Sequence, residues 1–202
     1  MKTHLLFIIA VGMFLLAVVT SCNKEKDEAK VMTMTAKASG EIRILLAGIG
    51  TATIDWGNSS EKETKTLSDE TNIEFSHNYS ASNTRTIRIF GDNITGLYCS
   101  HNQLTSLDVS NNTKLTNLVC VENQLTNLDM SFNTVLTWLD CRANNLSTAA
   151  LNALFRTLHN NDVVYIQTGK KNIHIGNNPG TSDCNQNIAE EKGWEVNKSS
   201  QL

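Results

Sequence analysis

Leu97-Tyr98-Cys99-Ser100-His101-Asn102-Gln103-Leu104 is followed 21 residues later by Leu118-Val119-Cys120-Val121-Glu122-Asn123-Gln124-Leu125, and 21 residues later again by Leu139-Asp140-Cys141-Arg142-Ala143-Asn144-Asn145-Leu146. A second half-motif interleaves as Leu107-Asp108-Val109-Ser110-Asn111-Asn112 and Leu128-Asp129-Met130-Ser131-Phe132-Asn133. Five half-motifs with the same apolar and Asn positions mark an internal repeat of short stacked units. Alternate residues of an extended segment face one side. Leu97 and Cys99 therefore point inward, Tyr98 and Ser100 outward. Strands of successive units then stack in parallel, about 4.8 Å apart, and the apolar positions form the columns Leu97/Leu118/Leu139, Leu104/Leu125/Leu146 and Leu107/Leu128.

Asn102, Asn123 and Asn144 stand where the chain leaves each strand and turns. An inward amide there both donates to and accepts from backbone, and its loss strands buried peptide groups at about 1–3 kcal/mol each. These residues read as a structural ladder. Cys99, Cys120 and Cys141 form a second one. The zinc-type close pair C-x-x-C is absent from the sequence. Thiols on adjacent strands have parallel Cβ vectors, which disfavours a disulfide. The expectation is a column of buried free thiols acting as small apolar groups, with Cys184 isolated.

Function is left to the outward column: Tyr98, Val119, Asp140 and His174, with Ser100, Val121 and Arg142 beside it. The inward positions stay constant while these vary, as on a scaffold with a tunable face. Tyr and Arg are the types enriched at binding hot spots. Phe132 and Trp138, aromatic where the repeat elsewhere has Asn111 and Asn117, are further candidates. His101 and Glu122 fall at neighbouring positions and suggest a solvated edge pair; Asp108 and Asp129 suggest outward carboxylates. No H-E-x-x-H, G-x-S-x-G or phosphate-cradling Gly motif occurs in the sequence, so no catalytic residues, metal site or cofactor is expected. Four strands by five residues give on the order of 320 Å², against about 800 Å² per partner in a standard protein interface. The contact is then weak, multivalent, shared with another region, or made to a small glycan.

Working outward, residues 31–92 read as a small antiparallel β domain. Val31–Ala36, Thr51–Trp56 and Arg85–Phe90 alternate, and Gly, Asn and Ser punctuate the gaps. Ile54-Asp55-Trp56-Gly57-Asn58 and Phe75-Ser76-His77-Asn78-Tyr79 are similar to elements of PKD-type β-sandwiches. With a core this small, the domain is expected to dock on the repeats, which occupy 93–146, and to cap them. Downstream, in 147–202, Ser147 is a fit N-cap for a helix over Thr148–Leu158. Ile173-His174-Ile175-Gly176-Asn177-Asn178 restates the repeat as a fourth, enlarged coil. A last helix ending at Gly193 and a strand at Trp194–Val196 complete a C-terminal cap.

At the other end, Lys2 precedes an apolar run, Leu5–Val19, about 23 Å long as a helix. That is short for a membrane span and fits a signal peptide over 1–21. Val19-Thr20-Ser21-Cys22 resembles the bacterial lipobox, which makes Cys22 the lipidated residue. The charged tether that follows, 22–30, is similar to the acidic export stretch of Bacteroides-type surface lipoproteins. Net charge is −3 over 202 residues with basic residues scattered, which gives no footprint for nucleic acid.

The L-x-C-x-x-N-Q-L-T-x-L-D-V-S-x-N units, with Asn178-Pro179-Gly180-Thr181 and Lys192-Gly193-Trp194 near the end, resemble the leucine-rich-repeat lipoproteins of Bacteroides-type bacteria. The expected fold class is mostly β with minor α: a β-sandwich-like domain, a short leucine-rich-repeat solenoid and an α/β C-terminal cap. The resemblance implies an outer-membrane, surface-exposed lipoprotein held to the membrane by its lipid alone, engaged in protein interaction or adhesion without catalysis. The alternative is a carbohydrate-binding accessory lipoprotein of a glycan-uptake system.

Overall fold

The structure, a computed structural model, describes residues 30–58 and 61–200. The signal peptide, Cys22 and the tether up to 29 lie outside the described residues. The chain is mostly β and builds one large mixed sheet.

The repeat forms the parallel part. β5 (Ile94–Tyr98), β7 (Asn117–Val119), β8 (Trp138–Asp140), β9 (Lys171–His174) and β10 (Trp194–Asn197) lie side by side in that order, numbered here by chain position. Their registers follow the motif: Leu97, Leu118, Leu139 and Ile173 stand opposite one another, and all four side chains are fully buried. Parallel pairing continues past the strand ends, with Cys99 N donating to Val119 O and Cys120 N to Asp140 O. Each 21-residue unit thus makes one coil, and a Leu→Ala change in its buried column would cost about 2–5 kcal/mol.

The first coil meets a long hairpin. β1 (Val31–Gly48) and β4 (Ile73–Phe90) are 18 residues each and pair antiparallel. A bulge between Ala38 and Gly40 bends β1. Gly40 has φ +93° there, a conformation that other residues adopt only with strain. The second half of β1 pairs with β5, and its first half with β6 (Leu104–Asp108). One bent strand therefore closes both segments of the first coil. β2 (Gly50–Asp55) pairs with the end of β4, and β3 (Glu63–Leu67) forms the sheet edge. Met32, Met34, Ile42, Ile44 and Leu46 of β1 share a single core with the repeat leucines. Residues 31–92 continue the repeat sheet through β1. The segments around Trp56 and His77 meet: their rings stack at 5.4 Å, Asn58 Nδ2 lies 2.7 Å from His77 Nε2, and the Tyr79 hydroxyl donates to Trp56 O.

At the far end Ser147 caps α1 (Thr148–Thr157), its Oγ accepting from Ala150 N. Leu151, Leu154 and Phe155 are buried beneath the helix. α2 (Asn187–Glu190) leads into β10, where the Trp194 indole donates to His159 O.

Candidate functional site

The outward sheet face carries one row across seven strands: Glu74, Leu45, Tyr98, Val119, Asp140, His174 and Asn197 stand opposite one another in turn. The row below it runs Ala47, Gly96, Asn117, Trp138, Asn172 and Glu195. The structure thus brings the expected column Tyr98/Val119/Asp140/His174 together and extends it onto the hairpin.

Tyr98 is half-buried. A Cβ added at Gly96 would stand 3.1 Å from Tyr98 Cε2 and 3.0 Å from Ala47 Cβ. The ring therefore leans along the strand over the bare glycine. Burial raises the pKa of its hydroxyl, and the side-chain amides of Asn72 and Asn117 oppose the rise. Three depressions, of about 430, 530 and 200 Å³, meet at this ring. Val119 and the hairpin residues Arg43 and Leu45 border the first. The second runs under residues 163–167.

That segment is a finger laid over the sheet. Tyr165 and Lys170 pair across its base, and the Tyr165 and His174 rings pack against Trp138 with centroids 4.9 and 4.7 Å away. Burial lowers the His174 pKa, and Arg142 adds to that effect while Asp140 and Glu195 oppose it. Ile166 at the fingertip is 89% exposed.

Two outward candidates behave differently from the sequence expectation. Asp140 is only 4% exposed, because Arg142 clamps its carboxylate in bidentate fashion, Nε to Oδ1 at 2.9 Å and Nη2 to Oδ2 at 2.6 Å. Each occupies the other, and separating a buried pair is costly. Val121 lies outside the core cluster yet is 3% exposed. Two hydrogen bonds hold it to the preceding coil: its N–H donates to Ser100 Oγ, and its carbonyl accepts from His101 N. Strand alternation ends with Val119, so position 121 has no strand to hold it outward.

His101 and Glu122 do form an exposed pair, Nδ1 to Oε2 at 3.0 Å. Asp108 and Asp129 each accept from the N–H two residues on. With the 60%-exposed Phe132 they border a depression of about 370 Å³ away from the Tyr98 face. Among the described residues, no group of three or more His, Cys, Asp or Glu side chains is placed to hold a metal ion.

The ladders are backbone chemistry. Asn123 Oδ1 accepts from Asn102 N and Leu104 N, and its Nδ2 donates to Cys99 O and Cys120 O. Asn144 Oδ1 accepts from Leu125 N, and Asn178 extends the column with Leu146 N. Asn102 begins it on β1, exchanging bonds with Arg43 N and O. Cys99, Cys120, Cys141 and Cys184 are free thiols. Burial pushes Cys99 up to about 12 and raises the other three.

Sequence reasoning missed Gly96, Asn72, Asn117 and the finger. It also missed a threonine column, in which Thr116 Oγ1 donates to Thr95 O and Thr137 Oγ1 to Thr116 O. A Gly two residues before an outward Tyr was the one available signal for the tilted ring. The chain matches no protein-family model, no curated protein and no solved structure.

Proposed function

We propose that this is a leucine-rich-repeat surface lipoprotein, anchored to the outer membrane through Cys22, that serves interaction or adhesion by binding a ligand on its outward sheet face without catalysing a reaction. The observation that carries this is the junction of three depressions at Tyr98, on the side of the sheet away from the leucine and cysteine ladders. The inward side chains are committed to core and backbone. Outward positions are where a scaffold of this kind varies. The lipobox-like Val19-Thr20-Ser21-Cys22 and the charged stretch after it support anchoring and display.

Two measurements test the reading. Protease treatment of intact cells should degrade the protein; full protection would overturn surface display. The purified protein should capture a ligand from cell-surface extracts, and a Tyr98→Ala/Val119→Asp variant should lose it while melting at an unchanged temperature. Unchanged capture would overturn the choice of face.

A further inference from the structure

We propose that the depression at Tyr98 is a saccharide-stacking site: one pyranose ring lies on the exposed face of the tyrosine, and the amides and hydroxyls around it take the sugar hydroxyls. This rests on the proposed use of the outward face and names the chemistry of its ligand.

Three observations converge on it. The first is the pose of the ring. Glycine at 96 leaves room that any Cβ would fill, so the Tyr98 ring lies close over the strand, and it borders three depressions. Asn72 and Asn117 border the same depression as the ring and Gly96. The platform is therefore set before ligand arrives, and preorganisation of this kind lowers the ordering cost of binding. The second is the composition of the rim. Asp69, Asn72 and Asn117 border one depression, while Glu41, Arg43 and Ser100 border another. Planar amides, two carboxylates and a guanidinium offer donors and acceptors. A pyranose needs this combination: its axial C–H groups make an apolar face, and its hydroxyls point out around the edge. The third is size. The depressions of about 430 and 530 Å³ fall within the ~300–1,000 Å³ of small-molecule sites. Seven strands by five residues span on the order of 570 Å², short of the ~800 Å² per side of a standard protein interface. Asp140, in the middle of that face, adds almost no surface.

Charge argues against a nucleotide, the other common stacking ligand. Arg43 is the one cation bordering the first depression, and it is paired with Glu74. Glu41 and Asp69 stand on the rim as well. A phosphate would meet more carboxylate than cation.

The test uses the full chain with soluble β-linked hexasaccharides of glucose, xylose, mannose and N-acetylglucosamine, followed by calorimetry and ligand-observed NMR. At least one should bind. Tyr98→Ala should weaken that binding at least tenfold, whereas Tyr98→Phe, which keeps the ring, should stay within about threefold. Gly96→Ala, which lifts the ring, should resemble Tyr98→Ala; its melting curve separates a displaced ring from a lost fold. Binding by none of the sugars overturns the proposal, as does binding insensitive to Tyr98→Ala, or capture of a proline-rich peptide in place of any sugar. Absence of sugar binding together with Tyr98-dependent capture from surface extracts would remove the saccharide and leave the face. Sugar binding indifferent to Tyr98 would remove the face itself.

Discussion

Each coil turns twice, and the two turns use asparagine differently. At the first turn, the Asn102, Asn123, Asn144 and Asn178 oxygens all accept backbone N–H groups. The carbonyl of Cys120 receives the amides of Asn123 and Asn144, and that of Cys141 receives Asn144 and Asn178. At the second turn, Asn133 Nδ2 donates to Val109 O and Asn112 O, but each carbonyl already accepts a backbone N–H, from Asn112 and Leu115. The buried Oδ1 atoms of Asn112 and Asn133 have no partner. The same residue in the same motif position is a main hydrogen-bond partner of the backbone at one corner and a supplementary one at the other. Motif identity alone does not reveal energetic weight.

The largest expected effect is Asn123→Ala. It removes the shared acceptor of Asn102 N and Leu104 N and one donor to each of two cysteine carbonyls. At about 1–3 kcal/mol for each stranded group, chemical denaturation should show a loss of about 3–5 kcal/mol. Next comes pH. The first turn carries thiols where the second carries Val109 and Met130. A thiol whose pKa is higher folded than unfolded favours the folded state while it is protonated. For Cys99 that contribution is intact below the ordinary value of 9.0 and drains away as pH climbs towards about 12. The melting temperature should fall from pH 9 upward, and a Cys99→Val/Cys120→Val/Cys141→Val variant should show a flatter profile. Asn133→Ala should cost only about 1–2 kcal/mol, since its carbonyl partners keep a backbone donor and its oxygen bonds nothing. A loss equal to that of Asn123→Ala would break the comparison. The smallest effect is a gain. His101, Glu122, Ala143 and Asn177, each just before a first-turn asparagine, have φ between 51° and 60°. Ala143→Gly relieves that strain and should stabilise by up to about 1 kcal/mol. Phe132→Gly, at the second turn, should bring no such gain.

The parallel stack was legible because period and burial coincide. Leu97, Leu118 and Leu139 announce their register, and Ile173 joins it across an enlarged coil. Ser147 and the apolar spacing after it located the helix for the same reason: the cause is local. The bent hairpin was only half legible. Val31–Ala36 and Arg85–Phe90 alternate, but Lys37, Ser39 and residues 80–84 are exposed and polar or small, so no pattern joined the arms into two 18-residue strands. Of the candidate site, the column of Tyr98, Val119, Asp140 and His174 followed from strand alternation. The closing of Asp140 by Arg142 did not, because it depends on the long arginine side chain folding back from beyond the strand end. Nor did the finger over Trp138, whose docking is a contact between residues 27 positions apart.

Because β1 grips both segments of the first coil and Ser147 opens the closing helix only after the third, the stack between them repeats one hydrogen-bonding scheme. Each asparagine hands its hydrogen bonds to the coil before it and asks nothing of how many follow. The molecule can therefore lengthen or shorten by whole 21-residue units, each insertion widening the outward face by one strand, about 4.8 Å, while both ends keep their chemistry. Reach is written as a count of units.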